Sequence, residues 1–370
     1  MAQTTEDAKT ATAADPPPRE NSLLVGHARA ERILLDCWNS GRMPHAWLIG
    51  GPPGIGKATL AYRFARFVLA QDSGPALLPP DQIDIDPDSG TFARVASGGH
   101  ADLMTLQRVI DPKRGTLSAG IPVDLVRQAL RFARLTPAEG NWRVIVVDAA
   151  DDLAPSGANA LLKVLEEPPA NALFLLVSNA PGRLLPTIRS RCRRLDLTAL
   201  AASDVAELLP RYRPDLEPEA ATVLAGLAEG SIGQALRLAD EGGVALYSDV
   251  MRALSSLPNL DQKALQRLSD RLGGRSAAAD AAFGTFSGLL EWWFRRFIRA
   301  LARGETPAGL VAEEEGLHAH LTAQASLDRW LEVWEKVTGL LSRAGAPANL
   351  DRKQVVLGAF LAMEAGVRRP

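Results

Sequence analysis

The chain has 370 residues, enough for two or three domains with cores of their own. Its formal net charge of -2, with 23% charged and 46% hydrophobic residues, is ordinary for a globular protein, so no global basic field argues for nucleic-acid binding. Two cysteines, Cys37 and Cys192, exclude a disulfide framework and a four-cysteine zinc site and suit a reducing compartment, and no apolar run approaches a membrane span.

Residues 1–20 are rich in Ala, Thr and Pro, carry early acids and lack an apolar stretch. They read as a disordered tail, not as a signal peptide. HARAERILLDCWNSG then shows helical spacing and stops at a glycine. HAWLIG is a short buried strand that runs into the loop GPPGIGKAT, and KATLAYRFARFVLA is a helix with an apolar face. Residues 72–100 are rich in Pro, Gly and Asp and read as an irregular surface insertion. IPVDLVRQALRFARLTP is a helix, and WRVIVVDAADDL is a nearly continuous apolar strand ending in acids. PSGANALLKVLEEPP is a helix with Ser156 as its N-cap and Pro168 as its stop. NALFLLVSN is another buried strand, LLPTIRSRCRR a short helix with a basic end, and LDLTAL a last strand. Strands alternating with helices predict a parallel sheet covered on both faces.

After about residue 198 the strands disappear. SDVAELLPRY, EAATVLAGLAEG and SIGQALRLADEG predict a small helical unit, and from about residue 245 the pattern is helical to the end. Trp292, Trp293, Trp330 and Trp334 recur there at spacings that place them on buried faces.

The stretch Gly51-Pro52-Pro53-Gly54-Ile55-Gly56-Lys57 is a phosphate-binding loop in its proper context of strand, loop and helix. Gly51, Gly54 and Gly56 let backbone N–H groups point at phosphate oxygens, and Lys57 adds a point charge. A magnesium ion would need a hydroxyl after the lysine, and that position is Ala58. Thr59 stands one residue further, about 100° round the helix, so it should point away from such a metal. Asp148, at the end of the VIVVD strand, is the acid a metal would need; the alternative is a cap or loop carboxylate. Ala149 occupies the position of a water-activating acid, and Asp151 and Asp152 lie beyond the strand. Gly51, Gly54, Gly56, Lys57, Thr59 and Asp148 thus read as a degenerate nucleotide site.

GPPGIGKATLA, WRVIVVDAADDL, NALLKVLEEPP, LLPTIRSRCRRL and GSIGQALRL occur in an order and at separations that together resemble the AAA+ subunits of the bacterial DNA polymerase III clamp loader, over roughly Leu23 to Asp240. NLDRKQVVL near the end also fits. The resemblance implies an α/β AAA+ P-loop domain with a parallel sheet at residues 21–197, a small helical lid at 198–244 and an all-α collar domain at 245–370. Within that family a motor kind (gamma/tau) hydrolyses ATP. A delta-prime kind hydrolyses nothing and supplies the arginine of its Ser-Arg-Cys motif to the ATP of its motor neighbour. This sequence departs from the motor pattern at Ala58, at Ala149, and at Gly233, where motors carry a sensor arginine. It keeps Ser190-Arg191-Cys192 and so resembles the delta-prime kind.

By that resemblance Arg191 is an arginine finger acting in trans; the alternative is a place in a solvated basic rim or in a surface for DNA phosphates. An arginine fits the task because its planar fork pairs with phosphate oxygens and stabilises charge that develops in phosphoryl transfer. Arg183, Arg189, Arg193 and Arg194 read first as a solvated rim, with a surface for DNA phosphates as the alternative. On the helix ANALLKVLEEPP, Lys163, Glu166 and Glu167 fall outside the apolar stripe and face either solvent or a neighbour.

The resemblance further implies motor subunits (gamma/tau), a delta subunit, the sliding clamp, primed DNA and the polymerase as partners, a cytoplasmic location and no membrane. No intrinsic ATPase is expected and no cofactor is required; ATP or ADP held weakly without hydrolysis is compatible with the loop. The family's zinc module has no cysteines here, so no zinc is expected. The alternative is an active motor-type ATPase in which Thr59, Asp151 or Asp152 replaces the missing groups.

Overall fold

A computed structural model describes residues 15–71, 79–110, 115–274, 276–344 and 351–368; most of the expected tail, residues 1–14, lies outside them. The chain divides into two compact units. One comprises the described residues up to Asp204 together with Gly230–Gly233, and the other comprises Val205–Glu229 with the described residues from Gln234 onward.

The first unit is built on five strands: β1 (Ala46–Gly50), β2 (Leu103–Leu106), β3 (Arg143–Asp148), β4 (Ala172–Ser178) and β5 (Arg193–Asp196). Their order is β2-β3-β4-β1-β5, and every pairing is parallel. The central strands β1 and β4 are buried along their whole length, which is why they read in the sequence as unbroken apolar runs.

Successive side chains of a strand point to opposite faces. Trp47 and Ile49 join one core with α1 (Ala28–Asn39) and α2 (Lys57–Ala70). Ala46 and Leu48 join the other with α4 (Val123–Phe132), α5 (Pro155–Glu166) and α6 (Pro186–Arg191).

Three local expectations change. The 72–100 insertion contains a helix, α3 (Gly90–Ser97), whose N-cap Ser89 accepts from the Phe92 amide at 3.2 Å. The strand expected at LDLTAL begins earlier, at Arg193, because β5 is an edge strand whose arginines face solvent. Ser156 does not cap α5: Ala154 is the cap residue and Pro155 the first helical residue, where the missing N–H costs nothing.

The insertion is held by polar contacts. Arg63 pairs with Glu31 at 2.7 Å and Asp84 at 3.1 Å, and Asn39 donates to the Pro80 carbonyl at 2.9 Å. Arg66, 2% exposed, donates to the Arg19 and Asn21 carbonyls and lies over the Phe92 ring. Among the described residues no group of His, Cys, Asp and Glu has the arrangement of a metal site.

Beyond Asp196 every named element is helical. The second unit contains α7 (Ala202–Tyr212, from Val205), α8 (Pro218–Leu227), α9 (Ile232–Asp240, from Gln234), α10 (Gly243–Ser255), α11 (Gln262–Leu272), α12 (Ala277–Arg303), α13 (Leu317–Gln324), α14 (Leu327–Ala344) and α15 (Arg352–Arg368). Trp292, Trp293 and Trp330 are buried, Trp293 stacks on Phe297, and Phe297 meets Trp330 edge-on. Trp334 departs from the expected pattern in being half-buried. Among the described residues no helix is long and apolar enough to cross a membrane.

Candidate functional site: a closed phosphate loop and an anchored arginine

The loop between β1 and α2 has the backbone of a phosphate cradle. Gly54 and Gly56 take φ of 73° and 101°, a conformation that side chains disfavour. Gly51 is closed in by its surroundings, since a Cβ there would lie 2.5 Å from the Leu197 carbonyl oxygen.

Four consecutive carbonyls of this loop each accept a hydrogen bond from a different donor. Lys57 Nζ donates to Pro52 O at 2.5 Å, Ser231 Oγ to Pro53 O at 2.9 Å, and the Gly233 amide to Gly54 O at 2.9 Å. Ile55 O lies 2.6 Å from Nε2 of the buried His27. Lys57, the residue that should reach a phosphate, is therefore folded back onto the loop itself. It is 4% exposed, and burial brings its ammonium down to about 8, against the opposing pull of Asp151 and Asp148. A lysine at that value is only partly charged in mildly basic solution.

Ala58 has no oxygen to offer, and Thr59 is buried on α2. Asp148 ends β3 beside Val177 of β4. Burial raises its carboxyl above the usual range, Lys57 opposes this, and Asp152 adds to it.

Asp151 is committed elsewhere. It accepts from Ser178 Oγ at 2.8 Å, from the Asn179 amide at 2.5 Å and from the Ala180 amide at 3.2 Å. It caps the exit of β4, and a carboxylate so occupied is a poor base for water.

Arg191 is the last residue of α6. Its Nη2 pairs with Glu166 Oε1 at 2.8 Å, and its Nη1 donates to the Thr187 carbonyl at 3.0 Å and to Ser190 Oγ at 3.4 Å. The next residue, Cys192, is buried, and that burial pushes its thiol up to about 12, which leaves it a packing group and not a reactive one. Arg183, Arg193 and Arg194 are exposed and Arg189 is half-buried. Arg193 lies over the Trp47 ring and Arg194 pairs with Asp196.

The structure thus brings Gly51, Gly54, Gly56, Lys57 and Asp148 to one end of the sheet, and places Arg191 at the C-terminal end of α6, just before β5. Sequence reasoning misses His27 and Ser231, whose contacts to the loop span 28 and 178 residues. No local spacing could have signalled them. Glu166 is legible only as a charge off the apolar stripe of α5.

A profile of the family described as "DNA polymerase III, delta subunit" matches residues 26–201. The DNA polymerase III subunit delta' of Pseudomonas aeruginosa is 35% identical over 198 residues, which cover 54% of this chain and 56% of that protein. The DNA polymerase III subunit tau of Escherichia coli is 30% identical over 228 residues, covering 60% of this chain and 33% of that protein. The DNA polymerase III subunit delta' of Escherichia coli is 32% identical over 333 residues, covering 90% of this chain and 92% of that protein. The chain therefore spans about half the length of the Pseudomonas relative, a third of tau, and nearly all of the Escherichia coli delta' subunit.

Proposed function

This chain belongs to the delta-prime family of DNA polymerase III clamp-loader subunits, and from that premise we propose that it is the loader's non-hydrolysing AAA+ component. In this reading it supplies Arg191 in trans to ATP held by a motor (gamma/tau) neighbour. With a delta subunit, that assembly places the sliding clamp on primed DNA for the polymerase, in the cytoplasm. The chain has no ATPase of its own, needs no zinc, and holds ATP or ADP at most weakly.

One contrast carries the reading. The chain's own loop has its lysine turned inward onto the Pro52 carbonyl, with Ala58 and Ala149 where a metal ligand and a water-activating group would stand. Arg191, in contrast, stands on the surface, a third exposed, at the end of a helix fixed beneath by Ile188 and Cys192. The chemistry at the neighbour is electrostatic. As the γ-phosphoryl group leaves, charge develops on its oxygens, and a guanidinium placed there stabilises it by roughly 10³–10⁵ in rate in systems that use such a finger.

A steady-state ATPase assay on the isolated chain tests the first half of the proposal. The expected result is no turnover above background, with and without primed DNA. Robust turnover by the monomer would select the motor-type reading, in which Asp151 would have to leave its three donors.

A further inference from the structure

Arg191 is held from two elements at once. Thr187, one turn earlier on α6, gives its carbonyl to Nη1, and Glu166, the last residue of α5, gives a carboxylate oxygen to Nη2 at 2.8 Å. The acid sits at a helix C-terminus, where the macrodipole disfavours negative charge. Its side chain is 50% exposed and that of Arg191 34% exposed. At such exposure an ion pair contributes little to stability, so the fold gives no strong reason for an acid at this place.

The pair has a definite effect on the arginine. A guanidinium has five N–H donors in a rigid plane. With Thr187 O and Ser190 Oγ on Nη1 and Glu166 on Nη2, the plane is fixed, and the Nε donor and one N–H on Nη2 are left for a further acceptor. A long side chain left to rotate must instead be ordered at the moment it meets its phosphate.

We infer that Glu166 is a positioning residue for Arg191, holding its guanidinium in the orientation from which it meets an anionic phosphoryl group on a neighbouring subunit. This rests on the reading of Arg191 as a trans-acting finger. Loss of the anchor means that the cost of ordering one arginine falls on the encounter with the phosphate, which corresponds to about a two- to ten-fold loss in rate.

The test uses the whole loader, reconstituted with motor subunits, delta subunit, sliding clamp and primed DNA, and reads DNA-stimulated ATP hydrolysis against ATP concentration. Glu166→Ala and the near-isosteric Glu166→Gln are compared with Arg191→Ala and with both double variants. The expected result is that each Glu166 variant lowers two- to ten-fold the share of kcat that Arg191→Ala abolishes, with KM for ATP unchanged, and that neither has any further effect once Arg191 is alanine. If Arg191→Ala lowers kcat but the Glu166 variants leave it unchanged or raise it, the positioning role is overturned and the finger stands. An equal loss in the Arg191→Ala background overturns it too, since Glu166 then acts through something other than the arginine. If Arg191→Ala itself changes nothing, the finger reading fails and the inference goes with it.

Discussion

The amide of Gly233 donates to the carbonyl of Gly54 at 2.9 Å, and a Cβ added at Gly233 would stand 3.0 Å from the Gly54 Cα. The segment beginning at Ser231 therefore closes directly onto the phosphate loop, and it does so through a residue with no side chain. A side chain at this position would have to push that backbone contact apart.

Gly233→Ala should disturb that contact. The neighbouring backbone must give by a few tenths of an ångström, which opposes the gain an alanine brings within a helix, so the contact loosens with little net change in stability. Amide hydrogen exchange should quicken at Gly233 while the central strands β1 and β4 keep their protection. An unaltered exchange pattern would show that the contact does not hold the loop.

Asp151 is a structural acid in this account. Asp151→Ala leaves the buried Ser178 hydroxyl and two backbone amides without their acceptor, so denaturant unfolding should show a loss of about 2 kcal/mol. A variant of wild-type stability would mean that the carboxylate is free for other work.

Lys57 makes a pH-dependent contribution whose sign is fixed by its burial. Its ammonium titrates at about 8 in the folded chain and at the ordinary 10.5 when unfolded. Between those values the unfolded chain binds more protons, so this group makes stability rise as pH increases from about 8 to 10.5. The difference in urea midpoint between wild type and Lys57→Met should follow that rise and flatten below pH 8. A difference independent of pH would contradict a buried, desolvated ammonium.

The central strands and the glycine loop are legible in the sequence because burial on both faces and backbone constraint leave strong local marks. Leu48, Val146 and Leu175 can be nothing but core, and Gly54 and Gly56 serve a conformation that side chains disfavour. The edges are harder. β2 (Leu103–Leu106) is four residues long and mostly half-buried, and β5 exposes three of its four residues, so neither carries an apolar run. α3 is hidden in a Pro- and Gly-rich stretch because its stability comes from the Ser89 cap and from burying Phe92 and Val95, which composition does not reveal. At the site, Ala58 and Ala149 are visible in the sequence itself. The closure by Ser231, Gly233 and His27, the diversion of Asp151 to β4, and the anchor at Glu166 depend on contacts between distant segments and emerge only in three dimensions.

In the proposed function the chemistry of this chain takes place at a neighbour's nucleotide. The direct measurement is DNA-stimulated ATP hydrolysis by the reconstituted loader carrying Arg191→Ala, with assembly verified by gel filtration. The account predicts an intact complex whose neighbouring site has lost roughly 10³-fold or more of its rate, so that the loader loses the whole share of turnover contributed by that site. An intact complex with wild-type hydrolysis would contradict it.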